Sequence, residues 1–447
     1  MITLLFGGST IRVSKGLSFK FPAVPFSEQP TAPVVTDYDE NVDNDNDDSF
    51  LTTLAADYLK SSLLDYPELA EVSTYPIEIP DHCLDVFFDH LAQLGTTSEM
   101  LRILHYGDSQ IEGDRISSTI RRLLQASFGG NGCGLLQITT PIGSPYYSLS
   151  LPEECEKINI TTAPRNVNNF SPTMGYLITK KQPVALTIQS LRSSKKLTTQ
   201  EFCTVKVITN NAKDVVCRTP ILNKQQFKHH FYALTNFSVD PSTRSVQLQL
   251  PDNTMVYGIS LDANAGIILD NLPLRGSAGY IFTRNHPDFL KEGLEVLGTK
   301  LILFQFGINA IPQQYELSTN ITAFENALSK QLEHLRQLAP DIPIIVISAS
   351  DRSILYEGTW ITNPNVPKFV EAQRRAALNN HCAFWNLYKA MGGANSMQQW
   401  EQRTPALATK DYIHFTAKGA EQVGQLFYKS FISAYLDYNY RQYLTLQ

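Results

Sequence analysis

At 447 residues, 43% of them hydrophobic and 18% charged, the chain is long enough for two to three domains, and burying a sizeable core is no difficulty. A formal net charge of -6 offers no phosphate-binding surface, so nucleic acid is not an expected partner. The longest apolar runs are strand-length and end in polar residues or glycine, so no transmembrane span is expected.

In chain order, residues 1–36 alternate weakly (Ile11, Val13; Leu17, Phe19, Phe21) and then become rich in proline, which predicts a strand or two laid along another element. The start lacks a basic n-region, and its apolar run is too short for a signal peptide. Residues 37–48 are acidic and almost free of apolar side chains. Their Asp/Asn alternation suggests calcium, but the glycine of the sharp turn and the closing bidentate glutamate are missing, so a solvated linker is expected. Helices are predicted around residues 50–64 and 83–94, the second with Leu84, Phe87, Phe88, Leu91 and Leu94 at helical spacing. These 95 residues read as an N-terminal extension.

The run Leu101-Arg-Ile-Leu-His-Tyr-Gly-Asp-Ser109 then reads as a buried strand entering a tight turn, followed by a helix with Ile116, Ile120, Leu123 and Leu124 on one face. This places Ser109 at the carboxyl end of a strand, where open α/β sheets bind ligands, with its own N–H facing outward from the first turn of the helix. The Gly129–Gly134 run follows a helix and does not open one, so a turn is expected and not a phosphate cradle.

From residue 141 to 262 the character changes. Short alternating runs at 184–191, 202–208, 215–221, 230–239, 245–250 and 255–261 predict an all-β insert, a sandwich or jelly roll. The α/β pattern resumes with nearly continuous apolar runs at 265–272, 300–306 and 342–347, as expected of parallel strands covered on both faces. Helices are predicted at 321–335, 366–379 and 416–435, with Thr416 as a cap, and a last strand at 383–387. Alternation of strand and helix predicts a five-stranded doubly wound domain split into residues 96–140 and 263–447.

A serine hydroxyl is a poor nucleophile until a base takes its proton. Near the C-terminus Lys410-Asp411-Tyr-Ile-His414 sits on a loop leading into a helix, where an aspartate three residues before a histidine can hold one ring nitrogen while the other faces away. Together, Gly-Asp-Ser and Asp-x-x-His in this context resemble the SGNH, or GDSL-type, hydrolase family. The resemblance covers residues 101–140 and 265–436. It implies a flavodoxin-like α/β/α fold and esterase or acyl hydrolase chemistry without metal or organic cofactor: Ser109 as nucleophile, His414 as general base and then acid, and Asp411 orienting the imidazole. It also implies an oxyanion hole made by the Ser109 amide, the Gly276 amide of the second block and the Asn309 side chain of the third. The chain departs from the family pattern where Ala310 replaces an aspartate after Asn309, which leaves the bracing of that loop open, and where Gln110 replaces a leucine.

The likeness is closest to peptidoglycan O-acetylesterases, which carry a carbohydrate-binding-like β domain at the position of the insert. It implies an O-acetylated polysaccharide as partner and a periplasmic or other envelope location, so of the two readings of the missing signal, a cytoplasmic protein or an export signal lost from this sequence, the second is favoured. An acetyl esterase of plant or capsular polysaccharide, acetyl transfer to a sugar, and a non-catalytic carbohydrate-binding protein on a hydrolase scaffold stay open.

Other residues draw weaker readings. The cysteines Cys83, Cys133, Cys155, Cys203, Cys217 and Cys382 show no C-x-x-C; Cys203 and Cys217 are placed to bridge neighbouring strands, but free thiols are the favoured reading. His229 and His230 fall in a predicted strand with no carboxylate near them in sequence, a poor metal site. His286, before Pro287, reads as a capping or surface residue. Asp351 and Arg275 fall on the catalytic edge of the sheet, either touching substrate or serving structural pairs. Trp360, Trp385 and Trp400 are candidates to line a sugar cleft, with core packing the better account of Trp385.

Overall fold

A computed structural model describes residues 75–94, 97–139, 143–153, 155–191, 201–211, 213–316 and 320–445, together with the backbone of 10–14 and 17–20. The acidic run and the helix expected at residues 50–64 lie outside the described residues. The weak alternation near the N-terminus forms an antiparallel pair, Thr10–Ser14 with Leu17–Lys20.

Five parallel strands, numbered here in chain order, form the central sheet: β1 (Met100–Gly107), β2 (Gly266–Pro273), β3 (Thr299–Gln305), β4 (Ile344–Ile347) and β5 (Ala383–Trp385). Their order is 2-1-3-4-5, with the short Ile77–Glu78 strand added antiparallel beyond β5. Most positions on both faces of these strands are apolar because both faces are covered. Along β1, Leu101 and Ile103 join one core cluster and Leu104 and Tyr106 the other; Leu301 and Leu303 alternate with Ile302 and Phe304 on β3 in the same way. The first cluster is closed by helices Asp85–Gln93, Ser117–Phe128 and Ala417–Leu444, and the second by Pro287–Leu297, Ile321–Leu338 and Val366–Asn379. The last helix runs nine residues beyond the predicted end, and Thr416 caps it by accepting the Gly419 N–H at 3.1 Å.

Between β1 and β2 the chain builds two antiparallel sheets, one of seven strands and one of four. They share a core that includes Leu186, Ile188, Val205, Val207, Phe237, Val246, Leu248 and Ile259. The strand Ser245–Leu250 buries Val246, Leu248 and Leu250 and turns Ser245, Gln247 and Gln249 outward, as its alternation predicts. The opposite face of the seven-stranded sheet, through Ile208, Tyr232, Leu234 and Tyr257, packs into the core of the central sheet. Residues 134–138 already belong to the two-sheet layer, with Gly134–Leu135 pairing along Met255–Asp262.

Several strands of this region lack the alternation on which the sequence reading relied. Asn223–Lys228 is an almost wholly exposed, polar edge strand, and Tyr147–Ser150, Cys155–Asn159 and Gly175–Thr179 are short. His229 and His230 lie in the hairpin turn after Asn223–Lys228 and not in a strand, a correction to their placement. Cys203 and Cys217 do not bridge.

The Gly129–Gly134 run is a turn packed against β2. Gly130 has φ +111°, and a Cβ there would lie 2.5 Å from the Ile267 backbone, so only glycine lets the chain pass. Where the two layers meet, Arg102 of β1 is fully buried and donates to Asp270 at 2.8 Å and Asp262 at 2.5 Å, while Lys206 adds a contact to Asp262 at 3.0 Å. A buried guanidinium is tolerated because carboxylates from both layers surround it.

Candidate active site

The carboxyl ends of β1, β2, β3 and β4 deliver four loops to one edge of the sheet. After β1, Gly107 brings the chain so close to β3 that a Cβ would meet the Gln305 carbonyl at 3.0 Å and Ile111 at 2.9 Å. Ser109 follows in a turn, then a short 3-10 segment (Glu112–Asp114), and only then the helix Ser117–Phe128. The expectation that Ser109 opens the helix is therefore corrected. Its N–H is exposed by the turn, and no described residue accepts it in a hydrogen bond.

The turn is braced from beneath. Asn271 of β2 donates to the Ile111 carbonyl at 2.9 Å and to Ser117 at 2.7 Å, and His105 of β1 sits between Ser117 and Gln305, 2.9 Å from each. Burial pushes the His105 imidazole down to about 4, so at neutral pH it is an uncharged support.

The histidine loop lies 305 residues further along the chain. His414 Nε2 is 3.0 Å from Ser109 Oγ, and its Nδ1 is 2.7 Å from Asp411 Oδ2. The other Asp411 oxygen accepts the Ile413 N–H at 2.9 Å, the His414 N–H at 3.0 Å and the Thr409 hydroxyl at 2.5 Å. Partial burial alone would raise the Asp411 carboxyl, but these bonds, led by the His414 ring, outweigh it and hold the group well below the usual carboxylate range. Asp411 is thus an anion throughout the pH range in which an imidazole titrates.

Two side chains tie this loop to the Ser109 turn. Gln110 donates to the Ile413 carbonyl at 2.6 Å, which gives the departure from leucine a role. Arg115 spreads its guanidinium over the carbonyls of Ser109, Glu112 and Phe415. Sequence reasoning missed Arg115; a partner 300 residues away leaves no local signal.

Asn309 follows β3, and Gly276 follows β2 with φ +72° and an N–H that no described residue accepts. The Asn309 amide nitrogen lies 3.1 Å from Asp108 Oδ2 and 3.1 Å from the Ser277 carbonyl, so it joins the loops after β1, β2 and β3. The bracing that Ala310 cannot supply is therefore provided by Asp108. Burial pushes the Asp108 carboxyl up to about 7, against the pull of the Gln110 N–H, His414 and the Asn309 amide. Gly307, with φ +120°, would press a Cβ to 2.6 Å from Gln373, which ties Phe306 to Ala349 and so fixes the start of this loop.

The remaining candidates separate cleanly. Asp351 is buried and accepts from Thr362 at 2.8 Å and the Met397 N–H at 3.0 Å, so it is a structural tie and not a substrate contact. Arg275 pairs with the buried Glu112 through two of its nitrogens. Trp385 and Trp400 are core residues, bonded to Ser430 and the Met391 carbonyl, so Trp400 is corrected out of any sugar cleft. Trp360 is 40% exposed and packs 4.6 Å from Tyr412 of the histidine loop. It lies opposite Leu355 in the hairpin Ser353–Tyr356/Thr359–Thr362 after β4. His286 is exposed at the start of Pro287–Leu297 and makes no side-chain cap. Among the described residues no cluster of three His, Cys, Asp or Glu side chains is arranged to hold a metal.

A solved structure described as a peptidoglycan O-acetylesterase in action superposes on 80% of this chain and 98% of its own, with TM-score 0.66 and 17% identity. The fold is that of an SGNH, or GDSL-type, hydrolase. An acetyl xylan esterase, AlAXEase, covers 37% of this chain and 81% of its own at 13% identity and TM-score 0.28. A family two carbohydrate esterase from Cellvibrio japonicus covers 65% and 98% at 9% identity and TM-score 0.24. The latter two scores are too low to add to the SGNH fold assignment. The sequence matches no protein-family model and no curated protein.

Proposed function

We propose that this protein is a serine esterase that removes O-acetyl groups from a cell-envelope polysaccharide, with peptidoglycan as the favoured substrate and an extracytoplasmic site of action. The observation that carries the proposal is the unbroken relay Ser109–His414–Asp411, at 3.0 and 2.7 Å, beside N–H groups with no partner among the described residues. In the reaction Ser109 Oγ attacks the acetyl carbonyl as His414 takes its proton, and the imidazolium is held by ionised Asp411. The oxyanion receives the N–H groups of Ser109 and Gly276 and the Asn309 amide, which releases the Ser277 carbonyl to do so. His414 protonates the leaving sugar hydroxyl; water, activated by the same ring, then frees acetate.

Residues 141–262 are read as an inserted β-sandwich of carbohydrate-binding type, 96–140 and 263–447 as the two parts of the hydrolase domain, and 1–95 as an extension. A glycan substrate is supported by the Trp360–Tyr412 ridge beside the histidine, since aromatic faces offer apolar area to sugar rings. The test is acetate release from O-acetylated peptidoglycan and from acetylated xylan by the intact protein and by Ser109→Ala. Release from peptidoglycan, abolished in the variant, is expected. Release from xylan alone moves the substrate to plant glycans, and no release from either by folded protein overturns the esterase reading.

A further inference from the structure

An open cleft of about 700 Å3 is lined by Glu112, Gly113, Arg115, Gly143, Ser144, Pro145 and Arg275, and its Arg115 donates to the Ser109 carbonyl. Resting on the esterase reading above, we propose that this cleft is a subsite for a carboxylate carried by the acetylated sugar, and that Arg275 selects acidic over neutral glycans.

The charge count favours an anion. Two guanidinium groups and one carboxylate line the cleft. Arg115 spends its hydrogen bonds on neutral carbonyls, so no described carboxylate pairs with it directly. The two acidic groups near Arg115 apart from Glu112 are committed elsewhere: Asp411 to His414, and Asp108 to Gln110 and Asn309. Behind the cleft, Asp114 and Arg121 neutralise each other in a buried pair at 2.8 Å.

The geometry favours Arg275 as the reader. Glu112, 4% exposed, fixes its Nε and Nη2, while Nη1 has no partner among the described residues and the side chain is 63% exposed. The guanidinium is thus held rigid by a buried carboxylate with one donor edge turned to solvent, an arrangement suited to a second carboxylate. Gly113 and Gly143 add no side chain to the lining. Arg275 also directly precedes Gly276, which couples recognition of the acid group to placement of the acetyl carbonyl.

The experiment measures binding of three probes to Ser109→Ala by calorimetry: 6-O-acetyl-N-acetylmuramic acid, an O-acetylated galacturonic acid, and 6-O-acetyl-N-acetylglucosamine, which lacks the carboxylate. The proposal predicts that one or both acids bind about five- to tenfold tighter than the neutral sugar. It also predicts that the preference shrinks at high salt. Adding Arg275→Gln should erase the ratio, whereas Arg275→Lys should keep part of it. A purely structural Arg275 would weaken all three probes alike and leave the ratio unchanged, and that result, or equal binding of acid and neutral sugars in the parent, overturns the proposal. Acetate release from the same sugars by the intact enzyme is scored separately. Release without acid preference removes the subsite and keeps the esterase reading; acid-selective binding without release does the reverse.

Discussion

The Ser109 turn and the histidine loop are joined by the 3.0 Å Ser109–His414 contact and by the Gln110 and Arg115 hydrogen bonds, but are held in place in different ways. The turn is held by burial, with Asp108, Gln110 and Asp114 under 5% exposed and His105 and Asn271 beneath it. The histidine loop is more open to solvent, with the Asp411 and His414 side chains 47% and 35% exposed, and is held by its own hydrogen bonds together with those from Gln110 and Arg115. Their carboxylates diverge accordingly: burial raises Asp108, and hydrogen bonding depresses Asp411. Of the two acids near the imidazole, Asp411 is the one built to carry the negative charge that an imidazolium needs, while Asp108 works through the loop amides it receives.

The sharpest way to break this division is to remove one member of the relay. Ser109→Ala and His414→Ala should each lower kcat on an acetyl ester by about 10^4-fold or more, with an unchanged far-UV circular dichroism spectrum. Asp411→Asn should approach the same loss, because the imidazole then sits against an amide that cannot stabilise its charge. Asn309→Ala should cost roughly 10^2- to 10^3-fold in kcat, the usual loss for one oxyanion donor. If its role were only to brace three loops, the loss would appear as a lower melting temperature instead.

Weaker substitutions test the coupling between the two regions. Arg115→Ala should lower kcat roughly tenfold and Gln110→Leu a few-fold, since each frees the histidine loop by deleting hydrogen bonds to its carbonyls. Combined, they should cost less than the product of the single losses, because both act on one displacement.

A separate prediction concerns pH and stability. For Asp108 the folded-state value of about 7 lies above an unfolded value near 3.9, so between these limits the native state holds a proton that the unfolded state has released. Its contribution to stability is therefore complete below about pH 4 and falls as pH rises toward 7. Asp411 acts in the other direction, since its depressed value adds stability above the ordinary carboxylate range that is lost only in strong acid. Denaturant midpoints for Asp108→Asn between pH 4 and 8 should show a flatter slope than the parent; an unchanged slope would place the titration elsewhere.

Much of this was legible in the chain because it depends on local pattern. Strands covered on both faces read as continuous apolar runs, so β1 to β4 were located within two residues at either end, and Gly-Asp-Ser with Asp-x-x-His marked the two halves of the site. What escaped depends on contact at long range or on the absence of pattern. The polar edge strand Asn223–Lys228 has no buried face to betray it. The bonds from Arg115 to Phe415, from Gln110 to Ile413 and from Asn309 to Asp108 join segments 200 to 300 residues apart, which periodicity cannot report. The eight-residue step from Ser109 to the helix escaped because the intervening short segment, with its non-helical Gly113, carries no apolar period of its own.

The central claim, that His414 activates Ser109 across the junction of these two regions, is tested most directly by covalent labelling. Intact protein, His414→Ala and Ser109→Ala are incubated with a fluorophosphonate, and the adduct is located by peptide mass spectrometry. A stoichiometric adduct on Ser109, formed at least about a hundredfold more slowly in His414→Ala and absent in Ser109→Ala, is the predicted result. Labelling of Ser109 at the same rate without His414, or no labelling of the folded parent, would contradict the account.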